Sequence, residues 1–100
     1  MRNQLVDVIT QYNDGTGIKR KVHTVFAEKK SASRDEFYKA YAAGTSPKYI
    51  FSFDQLDFKC CDVYVNGKKF HPTHIRFDGE EFEIVRSYEK GMHDVEVTVK

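Results

Sequence analysis

The chain has few of the sequence features that are typical of membrane or secreted proteins. Its 100 residues contain no tryptophan, two prolines and two cysteines. No apolar run approaches the ~18 consecutive residues that a membrane-spanning helix requires. Residues 1–4 lead into a strand-like stretch without the apolar core of a signal peptide. We therefore expect a protein that is made in the cytosol and does not contact a membrane.

The two cysteines do not predict a disulfide framework. Cys60 and Cys61 are adjacent in the chain, so a bond between them would close a strained ring. A reduced pair fits a cytosolic protein better. Stability must then come from apolar burial, and the chain supplies 40% hydrophobic residues with eight Phe and six Tyr. This is enough for one core in a single domain that covers residues 1–100.

Most of the sequence is patterned as β-strand. Alternating or β-branched stretches occupy residues 5–12, 18–30, 49–53, 58–65, 76–77, 81–88 and 94–99. A loop at residues 13–17 and the hairpin dipeptides Asn66-Gly67 and Asp78-Gly79 separate several of them. We expect another loop at residues 54–57, and we expect the basic start of the second strand to project beyond the sheet. The prediction is a mainly β fold, a small antiparallel barrel or sandwich of about six to eight strands.

One short α-helix is predicted after the second strand. Ser33-Arg34-Asp35-Glu36 matches the capping-box pattern of a helix start, and Gly44 supplies a C-terminal stop. Phe37, Ala40 and Tyr41 fall on one face. A helix of this length is marginal in isolation, so that face must pack against the domain's own sheet or against a neighbouring subunit. The sequence leaves both possibilities open.

The residues that could carry chemistry do not form a recognisable active site. His71 and His74 with Cys60 and Cys61 supply zinc-ligand atoms, but C-x-x-C is absent, and adjacent cysteines on a strand would point to opposite faces. The chain has no G-x-S-x-G motif for a serine nucleophile. We expect the acidic residues around Asp78 to face water. No catalytic, metal-binding or cofactor-binding residue is predicted.

Basic clusters raise the possibility of nucleic-acid binding. The candidate DNA-facing residues are Lys19, Arg20, Lys21 and Lys69. A small barrel that uses these side chains and Lys68 beside exposed aromatic rings could bind single strands, as oligonucleotide-binding barrels do. The net charge of only +1 is a weak point of this alternative, because dedicated binders usually have a clear basic excess.

Five segments together resemble a known family. They are Asp7-Val8-Ile9-Thr10, Val25-Phe26-Ala27-Glu28, the helix start that continues as Phe37-Tyr38-Lys39-Ala40, Ala43-Gly44 followed by Pro47, and the stretch from Ile75-Arg76-Phe77-Asp78-Gly79 to Tyr88. In this order they resemble the head-tail joining proteins of tailed bacteriophages and prophages, also called head-closure or head-tail adaptor proteins. The hairpin within residues 60–72 departs from the simplest pattern of that family and looks like an added excursion.

The resemblance implies a structural virion protein and not an enzyme. It implies a barrel-like subunit that is assembled in the bacterial host cytoplasm and forms a homo-oligomeric ring in the virion neck. Its partners there would be the portal or adaptor protein and the tail-completion protein, with non-specific contact to packaged DNA left open. In isolation the subunit would be a monomer or weakly associated. The candidate protein-interface residues, which lie on loops, the helix and a hairpin, are Asn13, Asp14, Thr16, Arg34, Tyr38, Tyr41, Asn66 and Lys68.

Overall fold

A computed structural model of the chain describes residues 4–31 and 49–100 and confirms the mainly β prediction. The elements of this part are β1 (Gln4–Asn13), β2 (Ile18–Ser31), β3 (Tyr49–Asp54), α1 (Gln55–Lys59), β4 (Val63–Val65), β5 (Lys68–Phe70), β6 (His74–Phe77), β7 (Glu80–Lys90) and β8 (Asp94–Val99). The helix predicted at residues 33–44 lies outside the described residues.

Six strands form a closed antiparallel barrel in the order β1-β2-β3-β8-β7-β6. β1 pairs with β2 along its whole length, from Gln4↔Ala27 to Asn13↔Ile18. The barrel closes where β1 meets β6, at Asp7↔Arg76 through Ile9↔His74. The short strands β4 and β5 form a separate two-stranded sheet. Of the two predicted architectures, the barrel is therefore the one adopted.

Aromatic residues of β3 fill the barrel interior. The predicted alternation is confirmed, because Phe51 and Phe53 are 0% exposed and belong to the core cluster, with Tyr49 packed against it. Ile50 and Ser52 are also buried, but they do not belong to that cluster. The Phe51 ring lies 5.8 Å from that of Phe77 and 6.3 Å from that of Phe82. Further buried members of the core come mainly from β1 and β8 and are Val6, Val8, Ala27, Cys61, Ile75, Val95, Val97 and Val99.

Both predicted two-residue hairpins are confirmed. The φ angles are 53° at Asn66 and 79° at Gly67, and 54° at Asp78 and 77° at Gly79. Two successive positive φ angles define the type I′ turn, whose twist matches that of the flanking strands. Asn, Asp and Gly adopt this conformation at the least cost, which is why these dipeptides could be recognised in the sequence.

The segment after β3 differs from its prediction. Residues 54–57 were expected to form a loop and residues 58–65 a strand, but α1 spans Gln55–Lys59 and β4 begins only at Val63. The Asp54 carboxylate accepts hydrogen bonds from the backbone N–H groups of Leu56 and Asp57, at 3.0 and 3.4 Å, and so caps the helix. A helix of five residues is too short to produce a recognisable hydrophobic period.

The basic start of β2 was expected to project beyond the sheet. Lys19, Arg20 and Lys21 pair with Tyr12, Gln11 and Thr10 in the β1–β2 ladder. The β1–β2 hairpin continues past the residues where β1 meets β6, so its distal end is a two-stranded ribbon.

Candidate interaction surface

Two of the segments predicted to make protein contacts meet at one end of the molecule. The loop between β1 and β2 and the β4–β5 hairpin are about 50 residues apart in the chain, but they border a common groove. The groove has a volume of about 250 Å³, and its lining residues are Asn13, Asp14, Gly15, Val65, Asn66, Lys68 and Phe70. Four of the eight candidate interface residues are therefore brought together, and Thr16 lies in the same loop.

The loop in this groove is held by its own hydrogen bonds. The Asn13 Oδ1 atom accepts from the Gly15 N–H at 2.9 Å. The Asp14 Oδ1 atom accepts from the backbone N–H and the hydroxyl of Thr16, at 2.9 and 2.6 Å. Both hydrogen bonds from Thr16 lower the pKa of Asp14 below its usual value, and the bond from the hydroxyl has the larger effect. The loop thus presents a fixed negative charge at neutral pH.

The β4–β5 hairpin is attached to the barrel through β1. The rings of Tyr12 and Phe70 lie 5.3 Å apart, centre to centre. The buried Thr10 hydroxyl donates a hydrogen bond of 3.0 Å to the carbonyl oxygen of Cys61, just before β4. These contacts fix the position of the hairpin relative to the loop, so the groove between them has a defined shape.

The remaining interface candidates cannot be located, because Arg34, Tyr38 and Tyr41 lie outside the described residues. They all belong to the predicted helix. The prediction that they make protein contacts stays a prediction.

The four candidate DNA-facing residues do not lie on one surface. Alternation along β2 places Lys19 and Lys21 on the opposite face from Arg20. Arg20 donates two hydrogen bonds to the Glu81 carboxylate, at 2.9 and 2.8 Å. Lys69 belongs to β5, and its ammonium lies 3.5 Å from the Asp62 carboxylate. Two of the four cations are therefore already paired with acidic side chains.

The Arg20–Glu81 pair is part of a polar network on the outer face of the barrel. The hydrogen bonds from Arg20 hold the pKa of Glu81 below its usual value. Two rows further along the same face of the β1–β2 ladder, the Asp7 carboxylate accepts hydrogen bonds from the Thr24 hydroxyl at 2.7 Å and from Arg76 at 3.1 and 3.2 Å. The Thr24 hydrogen bond is the largest cause of the lowered pKa of Asp7, with Arg76 adding to it against the opposing effect of burial. Charges on this face are thus largely satisfied within the subunit.

A second groove was not predicted. It has a volume of about 320 Å³ and is lined by Phe58, Lys59, Asp62, Lys69, His71, Ser87, Tyr88, Glu89 and Val95. The Asp62 side chain is 8% exposed, and one of its oxygens lies 3.2 Å from Nδ1 of His71. The hairpin register Val63↔Phe70, extended by one pair, places Asp62 opposite His71. The Asn66-Gly67 turn fixes this register, so the contact between Asp62 and His71 could have been predicted from the sequence.

The candidate metal and nucleophile residues are dispersed. Within residues 4–31 and 49–100, no group of three or more His, Cys, Asp or Glu side chains is arranged to hold a metal ion. Cys60 is exposed at the end of α1, whereas Cys61 is buried. Burial, with smaller contributions from the neighbouring Cys60 and Asp62, raises the pKa of the Cys61 thiol to about 12.

We expect the two cysteines to differ sharply in reactivity. Thiolate is the nucleophilic form, and Cys61 supplies almost none at neutral pH. Iodoacetamide should therefore modify Cys60 in the folded protein and leave Cys61 unmodified, as measured by peptide mass spectrometry. In urea both should react. Modification of Cys61 at the rate of Cys60 under native conditions would contradict this expectation.

No family model matches the chain, and a search of curated proteins finds no similar protein. In the part of the chain that the structure describes, no helix is long and apolar enough to cross a bilayer. What the residues define is a small closed antiparallel barrel with an attached hairpin and a preformed groove at one end.

Proposed function

We propose that this chain is a structural joining protein of a phage neck. It assembles as a ring between the portal or adaptor protein and the tail, closes the DNA-filled head and docks the tail. The sequence resemblance suggests this function. The single structural observation that supports it is the groove in which the loop at residues 13–17 meets the Asn66-Gly67 hairpin, because interaction residues commonly lie on loops that a rigid scaffold positions.

The mechanism is ordered assembly and requires no chemical step. The barrel and the Tyr12–Phe70 contact keep the two groove segments in place before binding, so little conformational entropy is lost when a partner docks. The groove carries charges of both signs, Asp14 and Lys68. Such an arrangement favours a specific orientation of a partner over strong binding. A subunit of this kind is weakly associated alone and forms its ring on a portal or tail template.

The nucleic-acid alternative has less support from the geometry. Its basic residues are divided between two faces of β2 and a separate hairpin, and Arg20 and Lys69 have acidic partners. A strand-binding groove instead needs a continuous positive surface along which the phosphates can lie.

The test is electron microscopy of necks purified from the phage or prophage that encodes the chain. We expect a ring whose subunits match the six-stranded barrel. Lys68→Glu, which reverses a charge in the groove, should reduce incorporation into necks at least about tenfold, as one lost charged contact can. Lys100→Glu is the matched control, because Lys100 does not line the groove, and it should be incorporated normally.

Two results would count against the proposal. The first is a neck whose density contains no such barrel. The second is tight binding of single-stranded DNA, measured by fluorescence anisotropy, that weakens steeply with salt and is reduced in both Lys21→Glu and Lys68→Glu. Steep salt dependence reports the release of counterions from phosphates and would favour the nucleic-acid alternative.

A further inference from the structure

In the described part of the chain, the outer edge of β2 has no partner strand over most of its length. On one side, β2 pairs with β1 from Ile18 to Ala27. On the other side, β3 pairs only with the stretch from Ala27 to Ser31. Among residues 4–31 and 49–100, no strand pairs with the remaining edge at residues 18–26. Such an edge presents unpaired backbone N–H and C=O groups that can extend the sheet by one more strand.

The outer face of this edge carries an apolar stripe. Ile18, Val22 and Phe26 are 64%, 46% and 52% exposed and recur at every fourth position. The polar residues between them, Arg20 and Thr24, are hydrogen-bonded to side chains of β1 and β7. The polar groups of the stripe thus have partners within the subunit, and a strand that covers this face would not leave them without hydrogen bonds. The unpaired edge could form backbone hydrogen bonds with a partner strand, and the apolar stripe could pack against the side chains of that strand.

We propose that this edge pairs with the same edge of a second copy of the chain. The two β2 strands run antiparallel about a two-fold axis that passes beside Val22. In this register Val22 lies opposite Val22 of the second copy, and Ile18 lies opposite Phe26 of the second copy. The sheet then continues from one subunit into the next through four strands, β1-β2 of one copy and β2-β1 of the other.

The sequence of β2 is self-complementary in this register. Ile18 and Phe26 are equidistant from Val22, so all three apolar side chains meet apolar partners. On the opposite face, Lys19 lies opposite Val25 and Lys21 opposite His23, and no lysine faces a lysine. A shift of two residues would place apolar side chains opposite Arg20 or Thr24, and in one direction Lys21 opposite itself. Like charges directly opposite one another destabilise a strand pair.

The contact is small, so the dimer is weak. One strand edge with three apolar side chains from each copy buries less than the roughly 800 Å² per partner of a standard stable interface. A two-fold contact also cannot by itself build a ring. The ring of the proposed function must use other surfaces, such as the groove at Asn13 and Lys68, and either proposal can fail while the other stands.

A cysteine placed on the axis tests the register. In a Cys60→Ser background, Val22→Cys brings two thiols together, because directly opposed residues have Cβ atoms about 4.5–5.5 Å apart. We expect oxidised glutathione to link Val22→Cys into a dimer at least ten times faster than it links Thr24→Cys. Thr24 lies opposite Arg20 of the second copy, so a mixture of Thr24→Cys and Arg20→Cys should form the mixed dimer.

Sedimentation equilibrium supplies an independent readout without a crosslink. Val22→Lys places two lysines opposite each other at a position that is already exposed, and it should raise the dissociation constant at least tenfold with an unchanged melting temperature. The proposal is overturned if Val22→Cys crosslinks no faster than Thr24→Cys. It is equally overturned if the unmodified chain stays monomeric at millimolar concentration.

Discussion

Replacing Phe51 with alanine is expected to lower the free energy of unfolding by about 3–5 kcal/mol. The Phe51 side chain is 0% exposed and packs against the rings of Phe53, Phe77 and Phe82. Truncation removes these contacts and leaves a cavity that a closed barrel cannot readily collapse. Since domains of this size are stable by only about 5–15 kcal/mol, a large share of the stability is lost.

Phe26→Ala is the matched control for this prediction. It removes the same atoms from a side chain that is 52% exposed on the outer face of the barrel. We expect a loss of less than about 1 kcal/mol there, because little transfer free energy is lost and no cavity forms. Urea unfolding followed by circular dichroism measures both variants. Equal losses for Phe26→Ala and Phe51→Ala would show that Phe51 is not at the centre of the core.

The sequence predicted features that depend on near neighbours. The alternation of Tyr49, Phe51 and Phe53 follows from the period of a strand, and the dipeptides Asn66-Gly67 and Asp78-Gly79 follow from the φ angles of a type I′ turn. In each case the cause lies within a few residues of the effect. The approximate number of strands was predictable for the same reason, whereas the sequence left the choice between a barrel and a sandwich open.

Features set by distant pairing could not be predicted in the same way. Nothing near Arg20 indicates that Glu81, 61 positions later, holds its guanidinium. The pair forms because β1 and β6 close the barrel and bring β7 within reach of β2. For the same reason, the sequence indicated the loop at residues 13–17 and the Asn66-Gly67 hairpin as contact segments but could not indicate that they share one groove.

A pH effect on stability is expected at Glu96 in β8. This residue is 5% exposed, and its carboxylate accepts hydrogen bonds from the Tyr88 hydroxyl at 2.6 Å and from Lys90 at 3.3 Å. The ammonium of Lys30 lies 3.5 Å from the same carboxylate. Burial acts to raise the pKa of Glu96, but the hydrogen bonds and the two positive charges outweigh it and hold the pKa below its usual value.

A lowered pKa makes the contribution of Glu96 to stability dependent on pH. The folded state favours the charged carboxylate, so the stabilisation is present above the pKa of the unfolded chain and is lost as the pH falls through the lowered folded-state pKa. Glu96→Gln should therefore cost about 1.5–3 kcal/mol at pH 7, a typical range for a hydrogen bond to a charged group. At acid pH, where the wild-type carboxylate is also neutral, the difference should shrink.

Guanidinium unfolding of wild type and Glu96→Gln between pH 7 and pH 3 measures this effect. Glu83→Gln is the control, because Glu83 is exposed on β7 and its removal should change stability little at any pH. A stability difference between wild type and Glu96→Gln that stays constant with pH would contradict the prediction.

Because Lys30 belongs to β2 and Lys90 to β7, Glu96 connects strands on both sides of β8. Its protonation should therefore loosen the barrel wall at the side opposite the contact of β1 with β6.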